Sequence, residues 1–283
     1  MNWIIVLSVL AVIGFLLDRE IYFYEGTHLG PRLQAWLYDR WSRKYDEGKR
    51  ASQLQDGEML AQPLLEALKD VPEPFILDFA TGTGRLSYAL LKRSDFHGRI
   101  IALDLSLGML EQAASKLNPA LERMQSAGSV EFLRHLSLPL PFPDATFDAV
   151  CALEVLELFP SMDEPLAELT RVLRPGGILL TSRGTEESGR KAKVKSIKEL
   201  TALLETNGLK QVQITRWWKY FDRVLAIKRG DSQPVTRKGL SLVLKCSVCE
   251  ASDWTAEPSL LKCQNCGREL SITKERIVLN SMA

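Results

Sequence analysis

The first sustained pattern along the chain is apolar. Residues 4–17, IIVLSVLAVIGFLL, are interrupted only by Ser8 and Gly14, and Trp3 stands just before them. A run with no polar face at the extreme terminus reads as an N-terminal membrane anchor, the alternative being a buried core helix. It is shorter than the roughly 20 residues of an ordinary spanning helix, and it lacks the basic leader and small-residue cleavage site of a secretory signal. Basic residues gather after Asp18, at Arg19, Arg32, Arg40, Arg43, Lys44, Lys49 and Arg50. By the positive-inside rule, everything beyond the anchor is expected in the cytoplasm.

The next pattern is helical. In LGPRLQAWLYDRWSRKYDEGKR (29–50), Leu33, Trp36, Leu37 and Trp41 recur on one side after a Gly-Pro start signal. Arg40, Arg43 and Lys44 could meet anionic lipid headgroups, or the helix could simply cover the main domain.

From residue 75 strands and helices alternate. Apolar, β-rich runs predict strands at 75–80, 98–105, 130–135, 146–153, 177–183, 211–218 and 220–229. Helical spacing fills the gaps at 85–94, 109–117, 163–173 and 196–208. This order predicts an α/β fold with a doubly wound, seven-stranded, mostly parallel sheet closed by an antiparallel edge pair. The expected organisation is an anchor helix (1–20), an amphipathic linker and cap (21–62), the α/β domain (63–230) and a small cysteine-bearing appendage (240–283). A ligand of such a sheet is expected at the carboxyl ends of its strands.

Length and charge change this picture little. The chain of 283 residues suits one sizeable domain plus an appendage, and a net charge of +1 argues against nucleic-acid binding through overall basicity.

The candidate chemistry begins at ILDFATGTGRL (76–86), a strand, a glycine loop and a helix start. Glycine permits torsions and close backbone approach that a side chain would block, and a helix N-terminus offers free N–H donors. NAD, a nucleoside triphosphate and S-adenosylmethionine are all possible occupants. No Walker lysine follows, and Ser87 stands where a dinucleotide loop would place its third glycine. Asp78, at the strand end, suits the cationic amino group of S-adenosylmethionine better than a pyrophosphate. Asp104, 20 residues past Gly84 at the tip of the second strand, can accept both hydroxyls of a ribose.

With these residues in place, the chain resembles class I S-adenosylmethionine-dependent methyltransferases. The matching pieces are LDFATGTG (77–84), ALDLSLGMLEQA (102–113), LPFPDATFDAV (140–150) and LRPGGILL (173–180), over roughly residues 36 to 228. Ala80, where most relatives carry the first glycine, makes it most similar to the ubiquinone and menaquinone biosynthesis branch, and YDRWSRKYD (38–46) resembles the segment preceding the fold there. The resemblance implies that Asp78 and the backbone at Ala80, Thr81, Gly82 and Gly84 hold the methionine part of the cofactor. It further implies Asp104 on the ribose, Leu105 and Met109 against adenine, and Ala152 with Leu153 lining the pocket through backbone. Relatives usually have an Asp near Leu136 that reads the adenine amine; here backbone groups or His135 could take that role.

Methyl transfer from a sulfonium needs an in-line nucleophile and exclusion of water, with a general base only for an acceptor of high pKa. The catalytic group is left unassigned. Glu154 and Glu157 follow the fourth strand and are candidates for that base, or surface carboxylates at a helix start. The basic stretch at Arg190, Lys191, Lys193 and Lys195 could face an anionic acceptor or lipid, or be a solvated loop.

Near the C-terminus, Cys246-x2-Cys249 and Cys263-x2-Cys266 are separated by thirteen residues. Two paired thiolates at this spacing predict a closed structural zinc site, a zinc ribbon. Disulfides are the alternative, disfavoured in a reducing cytoplasm. Cys151, in the fourth strand, reads as a buried apolar residue. The segment resembles small zinc-ribbon proteins that partner and activate methyltransferases of tRNA and translation factors, which implies either a fused partner or a surface for protein or RNA docking. The leading functional reading is a methyltransferase working at the membrane on a small, lipid-soluble, quinone-precursor-like acceptor. The rivals are an RNA or protein methyltransferase and a non-catalytic membrane scaffold.

Overall fold

A computed structural model describes residues 2–124, 127–188, 194–235 and 239–280. Helix α1 (Asn2–Asp18) has 17 residues. At about 1.5 Å per residue it reaches about 25 Å, less than the roughly 30 Å of a bilayer core. Among the described residues no helix is long and apolar enough to cross a membrane. The expected membrane anchor is therefore corrected, and the argument that put the remaining chain in the cytoplasm falls with it. Nor is α1 a core helix, since Trp3, Leu7 and Phe15 are exposed.

Helix α2 (Pro31–Gln53) starts on a proline, whose missing N–H costs nothing at the first turn. Its expected apolar stripe is only partly buried. Leu37 is covered, but Leu33 and Trp36 are 40% and 52% exposed. Polar contacts set the rotation instead: Asp39 Oδ1 accepts from Ser106 Oγ at 2.6 Å and from Gly108 N–H at 2.8 Å. Farther along, Lys116 Nζ pairs with Asp46 at 2.8 Å. The helix lies over the sheet's ligand edge, and α3 (Gln62–Ala67) leads from it into the sheet.

The sheet is built from β1 (Phe75–Phe79), β2 (Arg99–Asp104), β3 (Ser129–His135), β4 (Phe147–Ala152), β5 (Leu173–Gly184), β6 (Leu209–Trp218) and β7 (Phe221–Lys228). Between them run α4 (Arg85–Leu91), α5 (Leu107–Met124), α6 (Asp163–Val172) and α7 (Ile197–Thr206). Every residue of β1 and β4 is buried, as expected for central strands covered on both faces. β1 to β5 pair in parallel, and β7 runs antiparallel between β5 and β6.

The remaining elements are α8 (Leu240–Val243), the small sheet of β8 (Trp254–Ala256), β9 (Leu260–Cys263) and β10 (Glu269–Ser271), and finally β11 (Ile277–Asn280). β11 returns to the main sheet and pairs in parallel with β3, Asn280 opposite His135. The large sheet thus has eight strands in the order β11-β3-β2-β1-β4-β5-β7-β6, one more than the seven expected. The reason is an open edge: β3 offers unpaired backbone groups that the short apolar IVLN strand satisfies. Trp254, Leu261 and Cys263 join the same apolar cluster as Phe142, Phe147 and Leu173, so the appendage shares the main core.

Candidate active site

The strand order reverses beside β1, where β2 lies on one side and β4 on the other. That topology opens a crevice at the carboxyl ends of the strands. A cavity of about 350 Å³ sits there. Ala80, Gly82, Asp104, Leu105, Met109, His135 and Leu136, all singled out in the sequence, line it together.

The loop after β1 is held by its own polar groups. Asp78 Oδ2 accepts from the hydroxyls of Thr81 and Ser87, both at 2.7 Å. Ser87, in place of a third glycine, therefore ties the new helix to the strand. Burial pushes the Asp78 carboxyl up. Asp78 and Thr81 border a smaller, adjoining cleft of about 50 Å³ with Gln53, Thr83 and Arg85. Ala80 sits at φ +54°, a left-handed conformation that glycine adopts without strain. Gly84 lines neither space. Its own φ is +75°, and a Cβ there would come within 2.9 Å of Leu117 and 3.1 Å of Ala113, so it serves the close approach of α4 to α5.

Asp104 is buried at the cavity wall. Its carboxylate accepts from Gly82 N–H at 2.8 Å and from Ser106 N–H at 2.9 Å, and burial pushes its pKa up to about 6. Both ring nitrogens of His135 are already engaged, Nε2 with the Pro139 carbonyl and Nδ1 with Asn280 Nδ2, each at 3.2 Å. Burial lowers its pKa, so it stays neutral at physiological pH and offers the cavity a ring face rather than a free nitrogen. Ala152 is fully buried in β4, its carbonyl accepting from Thr181 Oγ1 at 2.7 Å, and does not line the cavity; Leu153, expected beside it, does.

Two tyrosines close the cavity from above. Tyr38 and Tyr45 stand seven residues apart on α2, two turns on one face. Both line the 350 Å³ cavity and a second one of about 320 Å³ beside it. Desolvation raises both phenols above their ordinary pKa, so they act as neutral hydroxyls. Sequence reasoning singled out YDRWSRKYD only by resemblance; the seven-residue spacing was the signal that could have placed these rings.

Glu154 borders all three spaces. Its Oε1 pairs with Arg85 at 2.8 Å, its Oε2 with Lys49, and its φ is +55°. Arg85 also grips Asp56 with two bonds of 2.5 and 2.8 Å. Both oxygens of Glu154 are thus occupied by cations. Glu157 differs. It is 5% exposed, its Oε1 accepts from Gly184 N–H at 2.7 Å, and its Oε2 has no partner among the described residues. Of the basic stretch, Arg190, Lys191 and Lys193 lie outside the described residues. The Lys195 carbonyl accepts from Arg183 at 2.9 Å.

The four C-terminal cysteines converge, each Sγ within 4.8 Å of the others. The sulfurs of Cys246 and Cys266, and of Cys249 and Cys263, are 3.6 Å apart. That is too long for a disulfide, whose bond is about 2.05 Å. It is close to the edge, about 3.8 Å, of a tetrahedron with metal–sulfur bonds of about 2.3 Å. The donor set and its geometry fit a zinc ion. Cys151 is fully buried, and desolvation raises its thiol.

Comparison with known proteins agrees with this geometry. Residues 77–181 match the family model of a methyltransferase domain. The demethylmenaquinone methyltransferase of Thermobifida fusca (strain YX) is 34% identical over 150 residues, 53% of this chain and 60% of that protein. A ubiquinone/menaquinone biosynthesis C-methyltransferase of Francisella tularensis subsp. tularensis (strain WY96-3418) is 35% identical over 105 residues, 37% of this chain and 40% of that one. The chain thus spans no more than 60% of these relatives' length. The fold is also that of a SAM-dependent methyltransferase structure from Aquifex aeolicus, with a TM-score of 0.52, 22% identity, and coverage of 67% of this chain and 97% of that one. Residues 77–181 are thus similar to a methyltransferase domain, and the chain that carries them has the class I methyltransferase α/β fold.

Proposed function

We propose that the chain is an S-adenosylmethionine-dependent methyltransferase acting on a small, lipid-soluble acceptor of the quinone-precursor kind. The observation that carries this reading is the pair of adjoining cavities at the strand ends, divided by Tyr38, Tyr45 and Glu154. Bound S-adenosylmethionine supplies a methyl group on a sulfonium: the acceptor's nucleophilic atom takes the methyl, and the bonding pair stays on sulfur. The chain's part is to bind, orient and exclude water. Asp104 offers lone pairs to a ribose, the Asp78 loop faces the amino-acid end, and Met109 with Leu136 packs against the base. Fixing donor and acceptor in line supplies much of the acceleration.

An apolar acceptor is supported by the walls of both cavities, which include Phe79, Leu158 and Phe159 in one and Trp41, Tyr220 and Phe221 in the other. It is supported too by the named activities of the relatives. Transfer of labelled methyl from S-adenosylmethionine into fractionated cell extract tests it. Label should enter the lipid fraction; label confined to RNA or protein would refute the acceptor class, and no label in any fraction would favour a non-catalytic scaffold.

The same proposal assigns Cys246, Cys249, Cys263 and Cys266 to a structural zinc ion, since four thiolates leave no open coordination position for catalysis. Metal analysis should find about one zinc per chain, and Cys263→Ser should lose it.

A further inference from the structure

The second cavity, about 320 Å³, holds a feature that the donor site does not use. Tyr38, Trp41, Tyr45, Tyr220 and Phe221 wall it with rings, and Glu157 lines it. One oxygen of Glu157 caps the Gly184 N–H; the other is buried with no partner among the described residues. A neutral side chain could make that cap, so nothing in the fold requires the second oxygen. A buried acceptor without a donor costs free energy that folding does not recover.

The neighbouring charges do not supply the donor. Lys49 lines the same cavity but is held by Glu154. Arg183 is turned to Asp222 at 2.8 Å and to Glu186 at 3.1 Å. Among the described residues none donates to this oxygen, which leaves it open to a group that enters from outside.

We propose that this cavity is the acceptor site and that Glu157 sets its specificity, its free oxygen taking a hydrogen bond from an O–H or N–H on a flat, apolar acceptor. The role as acceptor site rests on the reading of the adjoining cavity as the methyl-donor site. Among the described residues the charges disfavour an anionic acceptor: Glu25, Glu154 and Glu157 line this space, and Lys49 beside them is already paired. The rings select for flatness, because aromatic pairs favour stacked and edge-on geometries.

Three probes of one shape separate the terms: 2-naphthol, 2-methoxynaphthalene and 2-naphthoate, titrated calorimetrically into the intact chain saturated with S-adenosylhomocysteine. The naphthol should bind roughly tenfold more tightly than its methyl ether, the scale of one hydrogen bond to a charged group. The naphthoate should not bind detectably. Glu157→Gln places an amide N–H₂ where the free oxygen was, so it should abolish or invert the preference while leaving affinity for S-adenosylhomocysteine unchanged. Equal binding of naphthol and ether by the wild-type chain would overturn the proposal whether or not the variant folds, and so would a preference that survives in Glu157→Gln. A Glu157-dependent preference in a chain that binds no S-adenosylhomocysteine would uphold the binding site and overturn the donor reading instead.

Discussion

Asp104 stands at the wall of the proposed donor cavity, buried and held by two backbone N–H groups. Folding raises its pKa from 3.8 to about 6, so the protonated form is favoured in the native state. Its contribution to stability is complete below about pH 4 and is lost as pH rises through about 6, on the order of 3 kcal/mol at most. Urea unfolding of the unliganded chain at these two pH values should show the wild type losing more stability over the interval than Asp104→Asn, which has no proton to release. Equal losses would contradict the assignment. Ala80 offers a second test at this scale. Left-handed torsions cost a non-glycine residue about 1–2 kcal/mol, while glycine adds about 0.4–1 kcal/mol of unfolded-state entropy. Ala80→Gly should therefore raise the melting temperature slightly; a fall would mean that the methyl group packs against something the strain argument ignores.

Among the elements, those framing the loop were legible because their signals are local. FILDF is apolar except for Asp78 and buried on both faces, and the glycines after it interrupt a strand-to-helix pattern visible in a short window. The rotation of α2 was not legible, because Asp39 and its partners at Ser106 and Gly108 are far apart in sequence and outweigh the apolar stripe. Nor was the fate of IVLN, an apolar run whose partner is chosen by which sheet edge is open. The reading of 4–17 as a spanning segment went wrong on length, since composition alone cannot add the missing turns. The position of β11 has a measurable consequence. Asn280 donates to His135 on the wall of the donor cavity, which joins the last strand to the site. Asn280→Leu should leave His135 Nδ1 unsatisfied and cost about 1–3 kcal/mol in denaturant unfolding. No loss would show that the contact is incidental.

At the level of the molecule, the cysteine segment and the α/β domain share one core, and β11 makes their connection part of the main sheet. Chelation of the proposed zinc should therefore lower a single unfolding transition rather than split off a small early one. An unmoved main transition in scanning calorimetry would contradict that coupling. Farther down the sheet, Asp148 binds Arg174 at 2.6 Å and accepts the N–H of Phe75 and of Val235, both at 2.9 Å. One buried carboxylate thereby ties β1, β4 and β5 to the segment leading to the cysteines. Asp148→Ala should cost about 3–5 kcal/mol, the scale for breaking a buried pair, and a near-neutral result would reject this arrangement. The central claim is that the cavity at the ends of β1 and β2 holds S-adenosylmethionine through Asp104. Its most direct test is calorimetric titration of the intact chain with S-adenosylmethionine, beside Asp104→Ala. The account predicts saturable binding at one site per chain, weakened at least about tenfold in the variant by the loss of charge-assisted hydrogen bonds. No binding by the wild-type chain, or binding that Asp104→Ala leaves unchanged, would contradict it.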